Sequence, residues 1–297
     1  MHQNKNQNNA PFHTPVLLQE VLQYLAPVAG HSYLDLTAGY GGHASEILKR
    51  TGNPHGITLV DRDENAISVL KGLFVDGERL INEDFLTAST ALSAEGLQYD
   101  MILADLGVSS PHLNLPDRGF MFSEDGPLDM RMDQRQSLTA SDIVNHWKPD
   151  QITDILKRYS EEPKAKHIAS LIVAARPIYS TAQLAEVVKK AWPGHSRVHP
   201  ATRTFQAIRI AVNDELGLLE RSLPLWLDML KPGGRIAIIS FHSLEDRIVK
   251  QMLANNAGNR YDADLQLLTK RPVVAGPNEL VSNPRARSAK LRAAVKK

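Results

Sequence analysis

The chain has no cysteine among its 297 residues. Disulfides, thiolate zinc sites, iron–sulfur clusters and thiol nucleophiles are therefore excluded. It has no apolar run near the ~18 residues of a membrane span, and its first residues lack the apolar core of a signal peptide. A cytoplasmic location with no membrane attachment is the expectation. Its eleven histidines include no helical H-E-x-x-H pair, so no metal site is expected. Net charge is also nearly absent, +1 overall, but it is unevenly divided. From Lys270 to Lys297 eight Lys/Arg face one acid, Glu279, a net of +7, and the remaining 26 basic and 32 acidic residues give −6. A basic end on an acidic body predicts a polyanionic partner. With 42% hydrophobic residues the chain can bury a large core, as one big domain or two modest ones.

What is present centres on Tyr33-Leu34-Asp35-Leu36-Thr37-Ala38-Gly39-Tyr40-Gly41-Gly42-His43-Ala44. Alternating apolar residues break into three glycines and run straight into Ser45 to Lys49. A strand, a tight turn and a helix start in that order hold nucleotide-like cofactors in open α/β folds. Glycine serves such a turn twice, by adopting positive φ and by letting a ligand approach the backbone. His55 to Val60 predicts a second strand ending at Asp61, where a carboxylate can take a ribose diol. Gly39, Gly41 and Ala44 also satisfy dinucleotide spacing, so a nicotinamide cofactor is the rival reading. Asp35 favours S-adenosylmethionine instead. An acidic side chain just before the glycines suits a cationic amino-acid moiety and would repel a pyrophosphate.

Residues 1–10 are Asn/Gln-rich and read as a disordered tail. Val16 to Leu22 has amphipathic helical spacing. Leu80-Ile81 reads as a third strand leading to Asp84-Phe85, where the adenine of a bound cofactor is expected. Leu97 and Tyr99 to Leu106 make a fourth strand, apolar enough for burial on both faces, that delivers Asp105 to the ligand crevice. The α/β alternation then stops. Ser141–Trp147, Gln151–Tyr159, Ala165–Ala175 and Thr181–Trp192 are helical patterns without strands between them. We divide the chain into a core over 11–112 and 201–297 and a helical insertion over 113–200. Thr202 to Leu219 reads as one helix that resumes the core. Lys231 to Gly234 reads as a helix stop and turn, Arg235 to Ser240 as a fifth strand, and Leu244 to Leu253 as its helix. Residues 271–284 read as a loop.

Three stretches carry polar groups suited to chemistry. Asp105 to His112 follows the fourth strand, and Ser240 to Asp246 leaves the same sheet edge. Asp105 offers a proton acceptor, Ser109 or Ser110 can orient a base, Phe241 can stack on one, and His242 can accept a proton. Ser243 and Asp246 have the spacing of a helix cap. His199 to Arg209 places Arg203 and Arg209 where phosphates could meet them, although a salt-bridged surface helix explains them almost as well. The missing cysteine narrows any methyl transfer: a ring-carbon acceptor normally needs a cysteine adduct, so the acceptor must be a nitrogen or an oxygen. A non-catalytic RNA-binding module on the same fold remains an alternative.

Asp105 to Ser110, Arg118-Gly119-Phe120 with Asp125 to Asp133, His199 to Phe205, Ser240 to Asp246 and Asn283 to Arg292 together resemble the bacterial 16S ribosomal RNA cytosine-N4 methyltransferase family, the MraW family. The likeness runs in order from about His13 to Arg292. It implies a class I S-adenosylmethionine-dependent methyltransferase core, Rossmann-like, with an inserted all-α subdomain. It also implies methyl transfer to N4 of one decoding-centre cytidine, with small-subunit RNA as partner. By that match the cofactor contacts fall on Gly41, Gly42, His43, Asp61, Phe85, Asp105 and His112, the last a departure where other members carry Gln. Added to these from the residues themselves are Asp35, Gly39 and Asp84. Asp105, with Ser109 and His242, is expected to position N4, while the insertion and the basic C-terminal segment grip phosphates.

Overall fold

The structure, a computed structural model, describes residues 15–108, 115–194, 199–258 and 263–297. Ser109, Ser110 and His112, and the Asn/Gln-rich start of the chain, lie outside the described residues. The core is a seven-stranded sheet with α-helices on both faces. In chain order the first half runs α1 (Leu18–Leu25), β1 (Tyr33–Asp35), α2 (Gly42–Thr51), β2 (Ile57–Val60), α3 (Glu64–Leu73), β3 (Arg79–Ile81), α4 (Phe85–Ala94) and β4 (Tyr99–Asp105). The helical segment that follows holds α5 (Ala140–His146), α6 (Pro149–Ser160), α7 (Ala165–Ala174), α8 (Thr181–Lys189) and α9 (Ala201–Asn213). The core resumes with α10 (Glu215–Asp228), β5 (Leu230–Ser240), α11 (Ser243–Asn255), β6 (Leu265–Leu267), α12 (Pro277–Ser282) and β7 (Lys290–Lys296).

Strand order is β3-β2-β1-β4-β5-β7-β6. The first five are parallel, and β7 runs antiparallel to both of its neighbours. Successive residues of β4 bury opposite faces, as the period of two requires. Met101 and Leu103 join α1, α2 and α3 on one side, whereas Ile102 and Ala104 join α4, α10 and α11 on the other. Winding reverses direction between β1 and β4, which opens a crevice at their carboxyl ends. Lys231 to Gly234, expected as a turn, is carried within β5 as an irregularity in its pairing with β4.

The helical segment builds its own apolar core, from Phe120, Leu128 and Met130 through α5, α6, α7 and α8. Its helix starts are written locally: Thr139 and Asp142 form a capping box on α5, and Ser180 caps α8. The expected helix over Thr202–Leu219 is two helices. Asp214 adopts a left-handed conformation (φ 47°) and breaks the run. Phe205, Ile208 and Val212 of α9 pack with the inserted helices, and Leu219 of α10 packs on the sheet.

The C-terminal segment departs most from expectation. Part of the basic stretch is strand β7, threaded between β5 and β6 with Leu291 to Ala294 buried. Arg292 is taken by Asp246 at 2.6 Å, and Lys296 donates to the carbonyl of Leu227 at 2.8 Å. These two cations serve the fold. The expected loop over 271–284 contains α12. Among the described residues no helix is long and apolar enough to cross a membrane.

Candidate active site

The glycine turn lies where expected, between β1 and α2. Gly39 and Gly41 have φ of 51° and 79°. A Cβ on Gly41 would stand 2.7 Å from the ring of Phe74, so close packing as well as φ demands glycine there. The turn is tied to its neighbours by side chains. The Gly39 N–H donates to Asp61 Oδ2 at 2.8 Å, and the Asp105 N–H donates to Thr37 Oγ1 at 2.6 Å. The ends of β1, β2 and β4 are thereby held in one arrangement around the crevice.

Asp35 requires a correction. It is 1% exposed and faces inward, accepting the Tyr33 hydroxyl at 2.7 Å and the Thr37 N–H at 3.2 Å. Its carboxyl braces the turn from below, where a ligand's ammonium has no access to it. Burial raises its pKa to about 7, against the two hydrogen bonds, which lower it. Asp84 is likewise a helix cap. It accepts from the N–H groups of Leu86 and Thr87 and from the Thr87 hydroxyl. Phe85 packs edge-on against Trp226 at 5.5 Å and lies under the Arg62 guanidinium at 5.7 Å.

Asp105 stands at the end of β4 with its side chain 24% exposed, open to the crevice. Burial first, then the charges of Asp35 and Glu245, push its pKa well above the usual carboxylate range. His43, in the first turn of α2, brings Nε2 to 3.8 Å from Asp105 Oδ2. Burial lowers the His43 pKa to about 4, so the ring is neutral at physiological pH. Asp105 Oδ1 and both ring nitrogens of His43 are buried without a hydrogen-bond partner among the described residues. Three orphaned polar atoms beside a glycine cradle fit a polar, partly cationic ligand seated between them.

The neighbouring strand supplies the other wall. Asp105 pairs in register with Ile239, so Ser240-Phe241-His242 emerge from the same edge. The Phe241 ring lies over Gly107, where an added Cβ would be 3.2 Å from it. His242, not Ser243, caps α11: its Nδ1 accepts the Glu245 N–H at 3.4 Å, and its Nε2 is 3.1 Å from Glu245 Oε1. Asp246 is diverted to Arg292. Glu245 Oε2 accepts the Phe241 N–H at 2.8 Å, which fixes the turn that presents both rings.

Arg209 forms a two-pronged pair with Glu215 at 2.9 Å per bond, so it is a structural cation. Glu215, His242 and Glu245 converge closely enough to suggest a metal. Both Glu215 oxygens are engaged by Arg209 and Glu245 Oε2 by the Phe241 and His242 N–H groups, which ties the group into a charge network. Sequence reading missed it because three separate elements contribute. Arg203 is exposed and unpaired among the described residues. With His242, Ser243, Gln206 and Ser160 it lines a cleft of about 240 Å³ on the seam between the inserted helices and the core.

The sequence profile of the MraW methylase family matches residues 10–297. A protein of Synechocystis sp. named ribosomal RNA small subunit methyltransferase H is 47% identical over 291 residues, covering 96% of this chain and 93% of its own. One of the same name from Cyanothece sp. is 49% identical, covering 95% and 94%. A solved putative methyltransferase of Streptococcus mutans, in complex with SAH, is 11% identical over 96% of this chain and all of its own, at a TM-score of 0.42. The nicotinamide reading finds no support. The chain belongs to the MraW methylase family, an α/β methyltransferase with S-adenosylmethionine as its cofactor.

Proposed function

We propose that this methylase acts on 16S ribosomal RNA of the small subunit, in the cytoplasm, at the exocyclic N4 of a decoding-centre cytidine. The RNA class follows the name shared by relatives 45–49% identical to the chain. The choice of N4 rests on the resemblance to the cytosine-N4 family, and the chemistry of the chain is consistent with it. Without cysteine the ring-carbon route is closed, and an amine needs a group to take its proton as the nitrogen pyramidalises. Asp105 is the observation that carries this reading: a carboxyl open to the crevice, with elevated pKa and an unpartnered oxygen, facing the edge that bears Phe241 and His242.

The Gly39–Gly42 turn, His43, Asp61 and the Asp84-Phe85 corner would hold the cofactor, with His112 added by sequence alone; Ser109, also assigned by sequence alone, would help Asp105 position the base. S-adenosylmethionine supplies an electrophilic methyl group when bound. Asp105 accepts a hydrogen bond from N4–H and fixes the amine's direction. Phe241 stacks on the extruded base, whose unstacking costs a few kcal/mol, and His242 lines the same edge with Nδ1 accepting the Glu245 N–H and Nε2 turned toward Glu245. Arg203 and the exposed cations of the C-terminal segment meet the RNA backbone, so binding weakens steeply with salt.

The test combines tritiated S-adenosylmethionine, the purified chain and small subunits lacking the modification, followed by nucleoside analysis. Label in N4-methylcytidine, abolished by Asp105→Ala in a variant that still folds, is the expected result. Label in another nucleoside would overturn the substrate, and transfer undiminished in Asp105→Ala would overturn the role of Asp105.

A further inference from the structure

Arg118 is buried, at 6% exposure, in the segment that leads from β4 to the inserted helices. Its guanidinium reaches two ways. Nη1 lies 3.3 Å from Asp63 Oδ2, and Nη2 donates to the carbonyls of Arg131 at 3.0 Å and Met132 at 3.1 Å. Asn213 holds the same strap from behind, through the Met132 N–H and the Met130 carbonyl, each at 2.8 Å. Arg118 is therefore pinned to the helical layer on one side and to the loop after β2 on the other.

That loop contains the carboxylate read above as the ribose ligand. The Asp63 N–H donates to Asp61 Oδ1 at 2.8 Å, and the Gly39 N–H donates to Asp61 Oδ2 at 2.8 Å. Asp63 also caps α3 through the Asn65 N–H at 3.0 Å. Two carboxylates two residues apart repel each other in a partly buried turn, and Arg118 is the cation that offsets them. Tyr40 of the glycine turn senses the same three charges: burial, Asp63 and Asp61 raise its pKa, and Arg118 opposes them. The chain of contacts runs from inserted segment to Arg118, Asp63, Asp61 and the glycine turn without a gap.

We propose that Arg118 is a positioning residue for the cofactor, holding Asp63 so that Asp61 meets the ribose diol and coupling the inserted segment to the cofactor pocket. This rests on the assignment of Asp61 to the ribose. A guanidinium is suited to the task because its planar fork serves a carboxylate and two carbonyls together, which a lysine ammonium does not.

The experiment is calorimetric binding of S-adenosylhomocysteine and of its 2′,3′-dideoxyribose analogue to the full chain, to Arg118→Met and to Asp63→Asn. The second variant keeps one acceptor oxygen for the α3 cap and takes the carboxylate away from Arg118, so it serves if Arg118→Met fails to fold. The unmodified chain should prefer the natural ribose by roughly 10- to 100-fold, as hydrogen bonds to a charged group allow. In either variant that preference should fall to within about threefold, with the dideoxy analogue binding as before; a merely destabilised fold would weaken both ligands together. No preference in the unmodified chain would overturn the ribose assignment of Asp61. A preference undiminished in the variants would overturn the role of Arg118 and leave Asp61 standing.

Discussion

Replacing Asp35 by asparagine should change how stability depends on pH. In the folded chain the Asp35 proton is held to about pH 7, whereas an unfolded aspartate releases it near pH 3.9. Its contribution to stability is complete below about pH 4 and is lost as pH rises through 7, about 1.4 kcal/mol per unit and about 4 kcal/mol in all. His43 has the opposite sign. Its folded pKa of about 4 lies below the unfolded value near 6.5, so its contribution is present above about pH 6.5 and lost toward 4, about 3 kcal/mol. In the parent chain the two slopes oppose each other between about pH 4 and 6.5. An asparagine side chain can accept the Thr37 N–H through its oxygen and donate its amide N–H to the Tyr33 hydroxyl, so Asp35→Asn removes the titration and keeps the brace. The unfolding free energy of the variant minus that of the parent should climb by about 4 kcal/mol from pH 4 to 7.5. Asp105, whose elevation owes its second part to Asp35, relaxes in the same direction. Urea melts at half-unit pH intervals, extrapolated linearly, give the difference curve. A flat curve would refute the claim that the brace is a protonated carboxyl.

Other expectations concern single contacts. Arg203→Ala should leave S-adenosylhomocysteine binding unchanged and lower the slope of log K against log salt for RNA by about 0.7–0.9, read by filter binding. Arg292→Ala removes the nearer partner of Asp246, at 2.6 Å, and leaves Lys290 at 3.6 Å, so it should cost about 2 kcal/mol in a denaturant melt. The exposed Arg287→Ala should stay within about 0.5 kcal/mol in the same assay. Trp226 is fully buried, and its Nε1–H donates to Ser89 Oγ at 2.9 Å. Trp226→Phe should cost about 2 kcal/mol through the lost bond and volume, measured by thermal unfolding.

Local signals made much of this molecule legible beforehand. Gly39 to Gly42 announces its turn because no other residue type tolerates that φ and packing together, and the apolar run before Asp105 could only be a doubly covered strand. Long-range demands were hidden. Asp35 sits at a strand end, where a ligand-facing carboxylate and an inward brace look the same until Tyr33 is seen to bond it. Asp214 breaks α9 from α10 with neither glycine nor proline, and the apolar period runs on through it. Lys290 to Lys296 is short of β-branched residues and rich in charge, so composition argued for a phosphate-gripping segment. Its place between β5 and β6 is set by partners at a distance, Asp246 for Arg292 and the Leu227 carbonyl for Lys296. His242 takes the cap from Ser243 because β5 runs to Ser240 and the helix begins immediately after, which the capping spacing alone does not reveal.

The long excursion between Asp105 and Leu230 bears on how the chain finds its fold. Strands β4 and β5 are adjacent, yet the whole helical layer must be looped out before they meet. Loop-closure entropy grows only logarithmically, so a connection about five times longer than a simple αβ unit costs about 1.4 kcal/mol more. The insertion has its own apolar core, so if it condensed early the effective loop would be shorter still. A domain can thus acquire a large helical layer in mid-sheet at little thermodynamic expense, and the burden falls on folding rate through the raised contact order.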